Sequence, residues 1–418
     1  MKIKAINGVK DILSDEIVFW QKIEKRARDI FRRFGVHEIR LPLLEKTELF
    51  TRSIGEATDI VEKEMYTFID QGITMRPEIT ASLLRAYVEH GLHVRQPVQR
   101  LFSIGPVFRH ERPQMGRQRQ FHQVDVEIIG AQEPEVDAEL MAMGQMFLNE
   151  LNLEVSLEIN SLGCPECRPA FRKKLIAYLQ ERSETLCDDC KRRTEKNPLR
   201  ALDCKQQGCK AAVENAPSIL DNLCSGCEEH FIGVQAQLDR LGVAYTLNRF
   251  MVRGLDYYNR TAFEFLTTDL GAQAAVAAGG RYDGLVEELG GPKKTPGIGF
   301  AMGMERLCLL MQQQEGEQEE LGGADIFVAA LGEQAIQFAS PLVHQLRQRG
   351  LQAAMDYSNR SLKAQMKQAG RLNAGFTLII GEQELEQGKG ILRNMNTQEQ
   401  SEFSLQAGAD ELAKLVAG

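Results

Sequence analysis

Between residues 16 and 34 the apolar side chains Val18, Ile23, Ala27, Ile30, Phe31 and Phe34 recur at helical spacing with charges between them, and Gly35 ends the run. That pattern predicts an amphipathic helix with one buried face. In the next stretch, 36-VHEIRLPLLEKTELF, β-branched and apolar residues take over in an extended register with Pro42 inside. A proline-containing strand belongs at an edge or interface, and a helix is expected after it. Further strands are predicted at 73–75, 98–104 and 123–129, the last alternating in residue type as one face of an antiparallel sheet does. Strands resume at 244–250, 262–266 and 274–278, and a helix opens around 303–311.

Two stretches interrupt this pattern. Residues 164–231 are charged, cysteine-rich and helical in period, and they separate two strand-rich regions, which reads as an insertion. Residues 312–323, QQQEGEQEELGG, are polar and acidic, as a linker is. Beyond them 325-DIFVAAL, 351-LQAAMDY and 376-FTLIIG alternate with helical stretches, and a hairpin (391–394, 402–405) and a last helix follow. This is a small α/β domain. The expected organisation is α+β: an antiparallel-sheet domain over 1–322 with a helical Cys-rich insertion at about 164–231, then an α/β domain over 323–418.

With 418 residues, 43% of them hydrophobic, the chain can bury a core in each of two or three domains. A net charge of −8 argues against a protein that coats nucleic acid, so any RNA contact must be local. No stretch approaches the ~18 apolar residues of a membrane span, and the amino terminus lacks a long apolar core; a cytoplasmic chain without a membrane partner is expected. Eight of the nine cysteines lie between Cys164 and Cys227. They form four pairs, Cys164/Cys167, Cys187/Cys190, Cys204/Cys209 and Cys224/Cys227, which suit one or two tetrahedral zinc sites or remain reduced thiols.

Neither a phosphate-binding loop nor a complete dinucleotide glycine fingerprint is present; 297-GIGFAM ends in Met302 where a small residue is needed. Phosphates must therefore be held by side chains. The run 108-FRHERPQMGRQRQFHQ sets Arg109, Arg112, Arg117 and Arg119 around a turn at 113–116. Planar, permanently charged guanidinium forks suit a polyphosphate better than lysines do. Taken alone, such a cluster also fits a solvated basic hairpin, and Glu78 and Glu127 also read as ordinary strand charges.

Together these stretches resemble the class II aminoacyl-tRNA synthetases. Pro42 after the long helix is similar to the family's first motif, Phe108-Arg109-x-Glu111 to its second, and Gly303 with Glu305-Arg306 to its third. Two more, 252-VRGLDYYNRTAFE and 278-AGGRYDGLVEELGG, resemble the signatures of the histidyl-tRNA synthetases, bacterial type, and the resemblance runs from 7-NGVKDILSDE through the carboxy-terminal domain.

The resemblance implies a histidine–tRNA ligase that uses ATP with Mg²⁺, charges tRNA(His), works as a homodimer and carries a C-terminal anticodon-binding domain. It implies that Arg109 contacts the α-phosphate, Arg117 the β- and γ-phosphates and Arg306 the far side of the nucleotide, with Glu111 near the adenine edge. Arg253 stands where related enzymes use a metal ion beside the α-phosphate, which makes it catalytic together with Arg109. Glu78, Ile79, Thr80 and Gln123 fall around the histidine ammonium, and Glu127, Tyr257 and Tyr258 near its imidazole. Gly279, Gly280 and Gly284 are expected to line the pocket, and Arg281 and Tyr282 to face the substrate. Any structural Zn²⁺ would sit in the insertion, where Lys191, Arg192 and Arg193 offer either a tRNA contact or a solvated face. Arg347, Arg349, Arg360, Lys363, Lys367 and Arg371 could meet phosphates in the last domain. The alternative is a histidine-binding regulatory subunit of ATP phosphoribosyltransferase, which shares the catalytic fold but characteristically lacks the arginine motifs and the last domain; this chain has Arg109, Arg253, Arg306 and that domain.

Overall fold

The first helix spans Ser14–Arg33 and buries Phe19, Trp20, Ile23, Ala27, Ile30 and Phe31, the stripe that the three-and-four spacing predicts. The computed structural model describes residues 3–55, 58–269, 275–315 and 323–417. After the helix the chain forms only two short strands, β1 (His37–Glu38) and β2 (Leu44–Lys46), and Pro42 lies in neither. This corrects the expectation of a proline inside a strand. The carbonyls of Leu41 and Pro42 instead accept hydrogen bonds from Nη1 of the buried Arg76, at 3.3 and 3.4 Å, a partner that a strand ladder would not supply. With β3 (Tyr66–Phe68) and β4 (Ile73–Met75), β2 makes a small sheet ordered β2-β4-β3.

The main sheet has the order β1-β5-β6-β11-β10-β9-β7-β8. Its members are β5 (Gln99–Phe108), β6 (Gln120–Ile129), β7 (Ser156–Ser161), β8 (Thr246–Leu247), β9 (Asn259–Leu266), β10 (Ala275–Arg281) and β11 (Gly297–Gly303). All inner pairings are antiparallel, and the two ends, β1/β5 and β7/β8, are parallel. The strand expected at 244–250 shrinks to β8, because the Asn248 side chain accepts from the amide of Phe250 at 3.1 Å and turns the chain. Of the strand expected at 274–278, Ala274 lies outside the described residues.

Alternation along the sheet separates core from site. Val124, Val126 and Ile128 of β6, Phe263 and Phe265 of β9, and Phe300 and Met302 of β11 join the first helix and helices Pro134–Glu150, Ser225–Leu241 and Met304–Glu315 in one apolar cluster. Gln123, Asp125 and Glu127, the intervening residues of β6, lie on the opposite face. The Cys-rich segment forms a second, smaller core around Phe171, Leu175, Leu179 and Leu186. Its last helix contributes Phe231, Val234 and Leu238 to the main cluster, so the insertion ends within that helix.

By chain contacts the protein divides into units of residues 1–317 and 318–418. In the second, β12 (Ile326–Ala330), β13 (Ala353–Met355), β14 (Phe376–Ile380), β15 (Lys389–Asn394) and β16 (Gln400–Ser404) form a sheet ordered β13-β12-β14-β15-β16. The parallel strands are joined by helices Glu333–Gln348 and Leu362–Arg371, as the alternating sequence predicts. Arg347, Arg349 and Arg360 are engaged within this unit, by the Ala353 carbonyl, Asp410 and Asp356. No helix among the described residues is long and apolar enough to cross a membrane.

Candidate active site

On the face of the sheet away from the main core lies a cavity of about 250 Å³ whose two ends carry opposite charge. Residues from β6, β10, β11, the turn after β5 and the segment 253–258 line it, among them Thr80, Glu78, Arg109, Glu111, Arg117, Gln123, Asp125, Arg253, Tyr257, Tyr258, Glu305 and Arg306. The predicted turn is present as a bridge between Gln114 and Arg117. Only two of its four arginines, Arg109 and Arg117, line the cavity; Arg112 is not among the lining residues, and Arg119 donates to the backbone carbonyls of Glu111 and Asn7.

At the basic end, Arg109 donates from Nε to the Pro77 carbonyl at 2.8 Å and lies over the Phe121 ring, 5.3 Å from its centroid. Arg117 pairs with Glu111. Arg306, at the start of the helix after β11, donates to the carbonyls of Gly116 and Ala275. Burial lowers the pKa of all three guanidiniums; repulsion from Arg109 lowers Arg117 further, and repulsion from Arg117 and Arg109 lowers Arg306. Three buried or half-buried cations lining one cleft suit a multivalent anion. Arg253 reaches the same cavity from the loop before β9, pairs with Glu264 and lies 5.3 Å from the centroid of the Tyr258 ring.

The acidic end is built by β6 and the start of helix Thr80–Glu89. Glu78 accepts the Ala81 amide at 2.8 Å, and the Thr80 hydroxyl donates to Asp125 at 3.5 Å. Glu127, which accepts the Tyr282 hydroxyl at 2.6 Å, is fully buried and does not itself line the cavity. Burial raises the carboxyls of Glu78, Asp125 and Glu127 above their ordinary range, Glu127 to about 8, and the nearby negative charges add to the shift of Asp125. The Gln123 side-chain carbonyl is buried with no hydrogen-bond partner among the described residues. Tyr257 and Tyr258 pack ring against ring at 4.6 Å, and burial raises both phenols, Tyr258 to about 12, so both are neutral donors at physiological pH.

Several expected residues lie elsewhere. Ile79 is fully buried and its side chain is not among those lining the cavity. Tyr282 stands behind Glu127, and Arg281 is fully buried in a pair with Asp137 at 2.6 Å, supported by Asp283. Arg281 is therefore a structural residue. Gly279, Gly280 and Gly284 do not line the cavity: a Cβ at Gly279 would come within 2.3 Å of the Gly299 carbonyl, which is a requirement of sheet packing. The near-fingerprint glycines of β11 have a different cause from phosphate binding. A Cβ at Gly299 would lie 1.7 Å from Glu127 Oε2, and one at Gly297 would lie 2.1 Å from the Tyr282 ring, so both glycines make room for the acidic end.

Sequence reasoning missed Asp125, although strict alternation from Gln123 to Glu127 places it on the same face. It gave no role to Glu264, or to Glu305 beyond its place in the third motif; Glu305 accepts both the amide and Nδ1 of His122 at 3.0–3.1 Å.

The cysteines form two groups of four, Cys164/Cys167/Cys224/Cys227 and Cys187/Cys190/Cys204/Cys209, with all sulfurs of a group within 4.8 Å of one another. None lines the central cavity.

An antiparallel sheet carrying an arginine-walled cleft, with one arginine on the hairpin after β5 and another at the helix after β11, is the catalytic architecture of a class II aminoacyl-tRNA synthetase. The family model for histidyl-tRNA synthetase matches residues 8–307, and an anticodon binding domain matches residues 325–415. The histidine–tRNA ligase of Desulfotalea psychrophila is 61% identical over 98% of this chain and 95% of its own, and that of Geobacter sulfurreducens is 54% identical over 96% and 97%. The apo histidyl-tRNA synthetase of S. aureus superposes with a TM-score of 0.81 at 37% identity, covering 100% of both chains. The chain belongs to the histidyl-tRNA synthetase family, and it is an ATP-dependent ligase.

Proposed function

We propose that this chain joins histidine to the 3′ end of tRNA(His) in two steps within the one cleft, and that the juxtaposition of a buried three-carboxylate end with a three-arginine end carries the reading. In the first step a histidine carboxylate oxygen attacks the α-phosphorus of ATP and pyrophosphate leaves. In the second a ribose hydroxyl of the terminal adenosine attacks the activated carbonyl and AMP leaves. Attack on the α-phosphate brings two anions together, which requires cations between them.

Arg109 holds the α-phosphate, Arg117 the outer phosphates, Arg306 the opposite side of the nucleotide, and Glu111 the adenine edge. Arg253, which lines the cleft, pairs with Glu264 and lies against Tyr258, follows the charge that develops on the α-phosphate. The acidic end suits the substrate's two basic groups: Glu78, Thr80 and Gln123 meet the ammonium, and Glu127 with Tyr258 and Tyr257 the imidazole. A regulatory protein that only senses histidine has no use for the arginine end.

Mg²⁺ neutralises polyphosphate charge when bound. The cavity carboxylates nearest the arginines are already engaged, Glu111 by Arg117 and Glu305 by His122, so the ion arrives on ATP with its own waters rather than in a protein cage. The chain works in the cytoplasm as a homodimer through the face around Pro42, and its last domain meets the anticodon. Zn²⁺ in the insertion is structural. ATP–pyrophosphate exchange with each amino acid in turn tests the reading: exchange with histidine alone is expected, and its absence with histidine overturns the proposal.

A further inference from the structure

The segment 251–258, which carries Arg253, Tyr257 and Tyr258 into the cleft, contains neither helix nor strand. Its position depends on struts from outside. Asn160 and Ile54 provide two, to the Met251 carbonyl at 2.9 Å and the Asp256 amide at 3.3 Å. Glu264 of β9 adds a third by pairing with Arg253, and three more come from the cysteine-rich insertion. Arg168 donates to the Tyr258 carbonyl, Asn197 to the Asp256 carboxylate at 3.1 Å, and Arg200 to the Arg253 carbonyl at 3.2 Å.

Each insertion strut lies next to or between the members of a cysteine group. Arg168 directly follows Cys167, and its amide bonds the Cys164 carbonyl at 3.1 Å. Asn197 and Arg200 lie on the stretch between Cys190 and Cys204. The outer group joins the two ends of the insertion, residues 164 and 224, and the inner group closes a second loop within it.

The geometry of both groups is that of a metal shell rather than of disulfides. The Sγ–Sγ distances are 3.5 Å (Cys164–Cys167), 3.8 Å (Cys164–Cys224) and 3.9 Å (Cys187–Cys204). A regular tetrahedron with Zn–S bonds of about 2.3 Å has edges of about 3.8 Å, whereas a disulfide needs about 2.0 Å. Backbone amides already point at the sulfurs: Cys224 N donates to Cys167 Sγ at 3.1 Å and Cys187 N to Cys209 Sγ at 3.2 Å. Such donors stabilise thiolates around a metal. Cys167, Cys187 and Cys224 each stand at a helix N-cap, where the helix dipole favours negative sulfur. The insertion's small core, which is built partly from Cys190, Cys204 and Cys209 themselves, has little else to fix its short helices.

We propose that the insertion binds two Zn²⁺ ions, one in Cys164/Cys167/Cys224/Cys227 and one in Cys187/Cys190/Cys204/Cys209, and that these nested sites brace the 251–258 segment through Arg168, Asn197 and Arg200. The ions take no part in the chemistry. They set histidine recognition by holding the chain that presents Tyr257, Tyr258 and Arg253, and this second half rests on the functional reading above.

The full chain, produced in zinc-supplemented cells and purified without chelator, is expected to carry two zinc ions by plasma mass spectrometry. The double variants Cys164→Ser/Cys224→Ser and Cys187→Ser/Cys204→Ser should each carry about one. Zero or one zinc in the parent, iron in its place, or cysteines lost to disulfides in an intact-mass measurement overturns the two-site assignment. Arg200→Ala keeps both sets of ligands and removes one strut, so it should hold two zinc ions while its histidine KM rises roughly tenfold and its ATP KM stays within about twofold. A histidine KM that does not move in this zinc-replete variant overturns the bracing. Histidine-dependent pyrophosphate exchange by the parent separates these outcomes from failure of the functional reading, because the zinc count needs no activity.

Discussion

Replacing Glu127 with glutamine keeps the shape of the acidic end and removes its ionisation. In the empty fold, burial places the Glu127 midpoint at about 8, against 4.5 for an ordinary glutamate. Burial disfavours ionising it there, and so does the neighbouring Glu78 carboxylate. At pH 7 most empty molecules therefore hold Glu127 protonated. A bound imidazole N–H favours the carboxylate, so histidine binding should expel close to one proton from this group. Calorimetry at pH 7 in buffers of different ionisation enthalpy measures that release. The parent should release more protons than Glu127→Gln does, by an amount that approaches one.

The variant also loses a hydrogen bond to a charged acceptor, which raises histidine KM roughly ten- to hundredfold. The stability sign follows from the same shift. A carboxyl whose folded midpoint lies above its unfolded one contributes stability that is complete below about pH 4.5 and is lost as pH rises through about 8. The empty parent should therefore lose stability over that window, and Glu127→Gln should lose less of it. Equal proton release by the two proteins would refute the account of Glu127.

Arg253→Ala should slow adenylate formation in single-turnover assays by roughly a hundred- to a thousandfold, as loss of a transition-state cation does, while ATP affinity measured in the same assays changes little. Gly299→Ala should push Glu127 aside and destabilise the protein by about 1–3 kcal/mol in urea melts, with a raised histidine KM in whatever fraction folds. Arg281→Ala should cost about 3–5 kcal/mol by leaving the Asp137 carboxylate buried without its partner. The folded fraction should keep the parent's histidine KM, and a raised KM would return Arg281 to the substrate.

How much of this was legible in the sequence differs from element to element. The first helix and strands β5, β6 and β11 announce themselves by period, because one face of each must be apolar. The arginines of the cleft were visible as residue types in recognisable stretches. Their separation into Arg109 and Arg117, which reach the cavity, and Arg112 and Arg119, which do not, depends on the turn's conformation. Asp125 was within reach, since alternation alone sets it beside Gln123 and Glu127. Arg281 was not: its partner Asp137 is 144 residues away, and no local pattern distinguishes a buried ion pair from a substrate contact. The glycines of β11 looked like half a nucleotide fingerprint because the sequence does not show which neighbour needs the space.

Strand β6 presents Val124, Val126 and Ile128 to one side and Gln123, Asp125 and Glu127 to the other. A slip of one residue against β5 or β11 would exchange the two sets and drive three polar side chains into the oil. A slipped form cannot keep the polar face of β6 in the cleft, because the cleft-facing residues and those that hold the core are set by the same register. Errors in building this enzyme should therefore be lost to unfolding and degradation before they can become errors in translation.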